Sequence, residues 1–172
     1  MFKKVAAFMA CISVCLIGLI SSVGCSGNTG MDVGEEETTH FAEPDLVRHV
    51  VGETFDSEYF KFTYISVEKV DSLDGGKHKP AKGMEFYQLK LTMENLTDEE
   101  KHVNYNCFIG FADDVMIDQF YFTEDVIKGN LSGAGDSVTG TLTYSVPEGA
   151  KKVEVIFQYD MFHEEKMAFT VK

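Results

Sequence analysis

The chain has no tryptophan, and three of its four cysteines (Cys11, Cys15 and Cys25) fall within the first 25 of 172 residues. Beyond Cys25 only Cys107 remains, so the body of the chain can form no internal disulfide. An antibody-type domain, with its Trp packed on a disulfide, is thereby excluded. Stability must come from an apolar core, unlike that of small disulfide-stapled scaffolds. Basic residues are also scarce: 15 Lys and Arg stand against 28 Asp and Glu, a formal charge of −13. Nucleic-acid binding draws on clustered Lys and Arg, so nucleic acid is not expected as a partner. Recognisable enzyme motifs are missing as well. The five His, at 40, 49, 78, 102 and 163, show no metal-ligand pairing, and no Cys-x-x-Cys, His-Glu-x-x-His or Gly-x-Ser-x-Gly occurs. No cofactor is indicated, and the chain does not read as an enzyme.

What is present is material for one ordinary domain: the length fits a single domain with a tail, and 44% of residues are hydrophobic, enough for a core. Residues 1–24 read as an export signal, with Lys3 and Lys4 ahead of the uncharged apolar run Val5 to Ile20. The run ends in Ser21-Ser22-Val23-Gly24-Cys25, which resembles a bacterial lipobox. That resemblance implies a diacylglyceryl group on Cys25, the first residue of the processed protein, and two acyl chains hold a protein durably at a membrane. Residues 25–48 carry Glu35-Glu36-Glu37 and no sustained period, and read as a flexible acidic tether.

From residue 49 to 172 the pattern is β. Thr63–Val70, Phe86–Met93, Val103–Phe111, Val115–Phe122, Val138–Val146, Val153–Tyr159 and Met167–Val171 are short runs rich in Val, Ile, Phe, Tyr and Thr. Turn signals separate them, among them Asn95 to Asp98, Asp113-Asp114, Gly133 to Asp136 and Pro147 to Gly149. The spacing predicts an antiparallel β-sandwich of about seven to eight strands. Alternation puts Val138, Leu142, Tyr144 and Val146 on one face, and Val153, Val155 and Phe157 likewise. The same rule places Val103, Tyr105, Cys107, Ile109 and Phe111 on one buried face, which makes Cys107 a buried thiol. From Tyr59 onward the parity runs Phe60, Phe62, Tyr64 and then switches to Ile65, Val67, which predicts a bulge or a strand crossing between sheets.

Three elements carry a family likeness: VGET from Val51, LKLTMENLTDEEKHV from Leu89, and SGAGDSVTGTLTYSVPEGAKKVEV from Ser132. With them the chain resembles a family of exported bacterial immunoglobulin-like domains of uncharacterised function, related in fold to a mycobacterial immunoprotective extracellular antigen. The resemblance implies a small β-sandwich presented on the cell surface by a lipid anchor, and it implies no reaction. The stretch Phe111 to Phe122 departs from the family pattern, since Asp113-Asp114 runs straight into Val115.

Three places stand out as candidate sites. The loop Asp71 to Gly83 inverts the local charge through Lys77, Lys79 and Lys82, with the titratable His78 among them, and suits an anionic wall polymer or an acidic protein patch. Asp113, Asp114 and Asp118 form a weak calcium candidate without EF-hand spacing. The turn Asp160 to Glu165 puts Met161 and Phe162 at a hairpin tip. The expected function is a lipid-anchored extracytoplasmic binding or interaction module on the bacterial cell surface. Its rivals are an accessory subunit stabilising another envelope protein and a hydrolase of wall polymers.

Overall fold

The computed structural model describes residues 46–159 and 166–172. The export signal, Cys25, the tether up to residue 45 and the Asp160 to Glu165 turn lie outside the described residues.

The described residues form twelve strands: β1 Val47–His49, β2 Thr54–Asp56, β3 Phe60–Val70, β4 Met84–Asn95, β5 Lys101–Asn104, β6 Phe108–Ala112, β7 Val115–Ile117, β8 Gln119–Phe120, β9 Lys128–Leu131, β10 Ser137–Pro147, β11 Val153–Phe157 and β12 Met167–Thr170. They assemble into two five-stranded sheets, β1-β12-β11-β6-β7 and β2-β3-β4-β10-β8, with a two-stranded ribbon of β5 and β9. Every pairing is antiparallel except that of β1 with β12. The result is an all-β sandwich without a disulfide. The strand count exceeds the predicted seven to eight because long runs are divided between sheets and short polar strands lack an apolar signature.

Two β-branched and aromatic-rich strands, β3 and β4, pair over nearly their whole length, and β10 pairs with the far side of β4. Their inward residues Phe60, Phe62, Tyr64, Leu89, Leu91, Met93, Leu142, Tyr144 and Val146 are all 0–1% exposed. They meet Phe108, Val155, Phe157 and Phe169 of the other sheet, with Phe62 4.9 Å from Phe157 and 5.6 Å from Phe169, ring centre to ring centre. Burying each such side chain contributes about 1.5–3 kcal/mol, so these rings dominate the stability. The parity switch after Tyr64 is a bulge: the β3–β4 register shifts between Tyr64 and Ser66, and Ile65 turns outward.

Three expectations are corrected. Val103 to Phe111 is not one strand, because a 3-10 turn at Tyr105–Cys107, capped by the Asn104 side chain accepting from the Asn106 amide at 2.8 Å, separates β5 from β6. The turn resets the alternation, so Cys107 and Phe108 are both buried while Ile109 faces out. Val115 to Phe122 is likewise broken at Asp118, with β7 in one sheet and β8 in the other. Val47 and Arg48, read with the tether, belong to β1: Arg48 aligns with Ala168 of β12, and its Nε bonds Glu154 Oε1 at 2.6 Å. Glu154 is 7% exposed, and Lys152 Nζ reaches its other oxygen at 3.0 Å, so two cations offset the cost of burying that carboxylate.

Candidate functional site

The long β3–β4 connection is a built structure. Leu73 is buried and exchanges backbone hydrogen bonds with His78, its amide donating at 2.8 Å and its carbonyl accepting at 3.3 Å. Closing so tight a loop needs positive φ at Asp74, Gly75 and Gly76 (49°, 66° and 97°); the two glycines adopt it without steric conflict, and Asp is among the residues that tolerate the left-handed region. The His78 ring lies 5.6 Å from that of Phe120, and Phe120 lies 5.2 Å from Phe86, so the loop is pinned to the segment that follows β7. His78 Nε2 is 3.7 Å from Asp74 Oδ2.

That segment, residues 118–127, is fastened along β10. The Ser145 amide donates to Asp118 O, the Thr141 amide to Asp125 O, and the Ile127 amide to Thr141 O. Thr141 Oγ1 donates to Asp125 Oδ2 at 2.6 Å. Gln119 Nε2 donates to Tyr105 O and to the Tyr144 hydroxyl, and the Tyr105 and Tyr121 rings stack 5.1 Å apart. Thr123 is 8% exposed, and its hydroxyl finds no hydrogen-bond partner among the described residues. Yet Phe122 between them is 65% exposed, an orientation that apolar burial does not explain.

Loop and segment together enclose an open cavity of about 560 Å³ lined by Asp74, Lys77, Phe122, Glu124 and Asp125. A second hollow of about 210 Å³, lined by Ser66, Glu68, Gln88, Lys90, Asp125 and Thr141, lies on the outer face of the sheet. Asp125 is a wall of both. Next to this hollow, Thr54, Thr63, Thr92 and Thr139 align in one row across four strands, with Thr54 and Thr63 hydroxyls 3.2 Å apart and Thr92 and Thr139 hydroxyls 2.6 Å apart.

The structure separates the predicted site residues. Lys77 lines the large cavity among three carboxylates, His78 is turned onto Phe120, and Lys79 and Lys82 are exposed and line neither hollow. Asp113 and Asp114 lie elsewhere, as the two-residue turn between β6 and β7, with φ of 48° and 66°. Asp113 accepts from the amides of Lys151 and Lys152, and Asp114 pairs with Lys152 Nζ at 3.1 Å, so both carboxylates are engaged. The Lys152 ammonium is held above the usual lysine range by its hydrogen bonds to Glu154 and Asp114. Asp118 does not join them: among the described residues no group of three His, Cys, Asp or Glu side chains is placed to share a metal ion. Cys107 is buried, and desolvation pushes its thiol up. Phe122, Glu124 and Asp125 escaped sequence reasoning; the only available signal was the apolar-acidic run after Asp118.

Two facing sheets with a polar hollow at one flank define a β-sandwich module with a lateral groove. The chain belongs to the family described as a domain of unknown function (DUF4352), which matches residues 49–167. The uncharacterized lipoprotein YjhA of Bacillus subtilis (strain 168) is 29% identical over 123 residues, covering 60% of this chain, and the chain spans 55% of that relative's length. The crystal structure of the yjhA protein from Bacillus subtilis superposes with a TM-score of 0.57 at 21% identity, over 72% of this chain and 99% of that one. A conserved hypothetical protein from Bacillus anthracis gives 0.50 at 18% identity, over 72% and 94%. These likenesses bear out the sandwich.

Proposed function

We propose that this protein is a non-catalytic binding module of the bacterial envelope, displayed outside the cytoplasm on a lipid at Cys25, with its ligand site in the hollow walled by Phe122 and Asp125. The anchor is supported by the small-residue run into Cys25 and by a relative that is itself described as a lipoprotein. The site rests on one observation, the 65% exposed Phe122 ring at the wall of a roomy polar cavity. Apolar surface held in water beside converging polar groups is the usual make-up of a recognition site. Binding rather than reaction is supported by Cys107, the one thiol beyond the anchor, whose burial disfavours the nucleophilic thiolate.

The test places a benzophenone-bearing residue at position 122, or at exposed Asn130 on β9 as a control, in the full-length protein on intact cells. An ultraviolet-induced adduct at 122 and not at 130 is expected, its mass distinguishing a wall polymer from an envelope protein. Adducts at neither position, or equally at both, overturn the site. Fatty-acid label on the wild type that vanishes in Cys25→Ala is expected for the anchor, and label persisting in that variant overturns it.

A further inference from the structure

Resting on that reading of the site, we propose that the ligand is an uncharged glycan strand, laid across the hydroxyl rows of the β3–β4–β10 face with one sugar ring seated on Phe122. Four features of the surface point to it.

The first is the chemistry of the face. A sugar offers hydroxyls, each both donor and acceptor, at close intervals. The sheet answers with groups of matching kind: the threonine row 54-63-92-139, then Ser66 and Thr141, then the Gln88 amide, which donates to Thr143 Oγ1 at 3.1 Å. Neighbouring strands set the members of the threonine row about 4.8 Å apart, so that row repeats regularly along the direction a polymer would take, while in the next row Lys90 stands between Ser66 and Thr141.

The second is the aromatic ring. The face of a phenyl ring is electron-rich and its edge electron-poor, so it attracts the weakly positive C–H face of a pyranose. Phe122 is held at the cavity wall by ring contacts with Tyr121 at 4.3 Å and Phe120 at 5.9 Å, so little order remains to be imposed on binding.

The third is charge. Asp74, Glu124, Asp125 and Glu68 outnumber Lys77 and Lys90 around the two hollows, on a chain of formal charge −13. Carboxylates accept hydrogen bonds from sugar hydroxyls but repel phosphate or uronate groups, so an anionic polymer is the wrong ligand for this groove.

The fourth is what the groove lacks as a peptide site. Peptides dock by adding a strand to a free edge or by filling apolar pockets. The edge strands β2 and β8 are three and two residues long, and the linings are polar apart from Phe122.

The experiment is binding of the full-length protein, in detergent micelles, to an array of immobilised neutral and anionic glycans, with Phe122→Ala, Phe122→Trp and Lys79→Glu compared. Binding to a neutral member is expected to weaken about tenfold in Phe122→Ala, to survive in Phe122→Trp, and to be unmoved by Lys79→Glu, because the stacking contact is worth about 1.4 kcal/mol with the area it buries. Thermal unfolding of Phe122→Ala at the wild-type midpoint excludes misfolding as the cause. Binding confined to anionic members, binding indifferent to Phe122→Ala, or no binding to any member overturns the glycan assignment. If in that case position 122 still cross-links on cells, the site stands with another ligand class; if position 122 captures nothing, the site itself has failed.

Discussion

Gly110 of β6 lies so close under Tyr144 of β10 that a Cβ at position 110 would sit 2.5 Å from Tyr144 Cδ1 and 2.6 Å from Cε1. The missing side chain on one sheet is the space in which the ring of the other sheet fits. The Tyr144 hydroxyl, fully buried, donates to Phe108 O at 3.3 Å and accepts from Gln119 Nε2 at 3.1 Å, so one side chain ties both sheets to the segment that carries Phe122.

Gly110→Ala is therefore expected to destabilise the protein by about 1–3 kcal/mol through overpacking. Urea unfolding measures it. In the double variant Gly110→Ala/Tyr144→Leu the losses should fall short of additive, since the second change removes the ring the new methyl strikes. Strict additivity would place the cost of the alanine elsewhere.

Asn95 is fully buried and makes four hydrogen bonds, its Nδ2 donating to the carbonyls of Glu99 and Leu131 and its Oδ1 accepting from the Thr97 amide and hydroxyl. Asn95→Ala leaves those groups without their partner and should cost about 3 kcal/mol. Asn95→Asp keeps the acceptor half and replaces the donor, so it should also destabilise, and a wild-type urea midpoint in either variant would contradict this account of the turn.

Burial pushes the phenols of Tyr64 and Tyr144 well above their ordinary value of 10.0. Below pH 10 neither the folded nor the unfolded state releases these protons, and the stabilising contribution is whole. Above it the unfolded chain ionises first, so stability should fall with rising pH by up to about 1.4 kcal/mol per pH unit for each phenol. Of seven tyrosines, these two should stay untitrated at 295 nm until the protein unfolds. Tyr64→Phe, which also removes a 2.9 Å bond to Thr170 O, should lower stability at neutral pH yet flatten the alkaline slope.

Cys107 should resist alkylation while the protein is folded. Its thiol is raised by desolvation, so iodoacetamide at neutral pH should modify it much more slowly in native protein than in urea, followed by mass spectrometry. Equal rates would place the thiol at the surface.

Much of the fold was legible because alternation is a local property. The switch from Tyr64 to Ile65 announced the bulge, and the apolar parity of β10 named its core-facing side, whereas β11 is buried on both faces, Glu154 and Ile156 included. Alternation failed at Tyr105–Cys107, where one turn held by Asn104 shifts the parity so that Ile109 faces out. It was silent on β1 and β9, whose residues VRH and KGNL carry little apolar signal and owe their strand geometry to their partners β12 and β5. The Asp113-Asp114 pair was recognised as a turn, but its use was not: two like charges at positive φ are held by amides and an ammonium some 38 residues further on.

Composition and alternation by themselves determined that this chain is an all-β domain without a disulfide, because burial on a pleated strand leaves its mark every second residue; Cys107 is buried through the 3-10 turn at Tyr105–Cys107 instead. Tertiary structure alone decided where a ligand could lie. Asp74 and Phe122 line one hollow and Gln88 and Thr141 the other, with Asp125 a wall of both, only through the register of β3, β4 and β10 and the docking of the 118–127 segment on them. No local pattern encodes a contact between residues dozens of positions apart, so nothing along the chain announced that Phe122 lines a cavity together with Lys77.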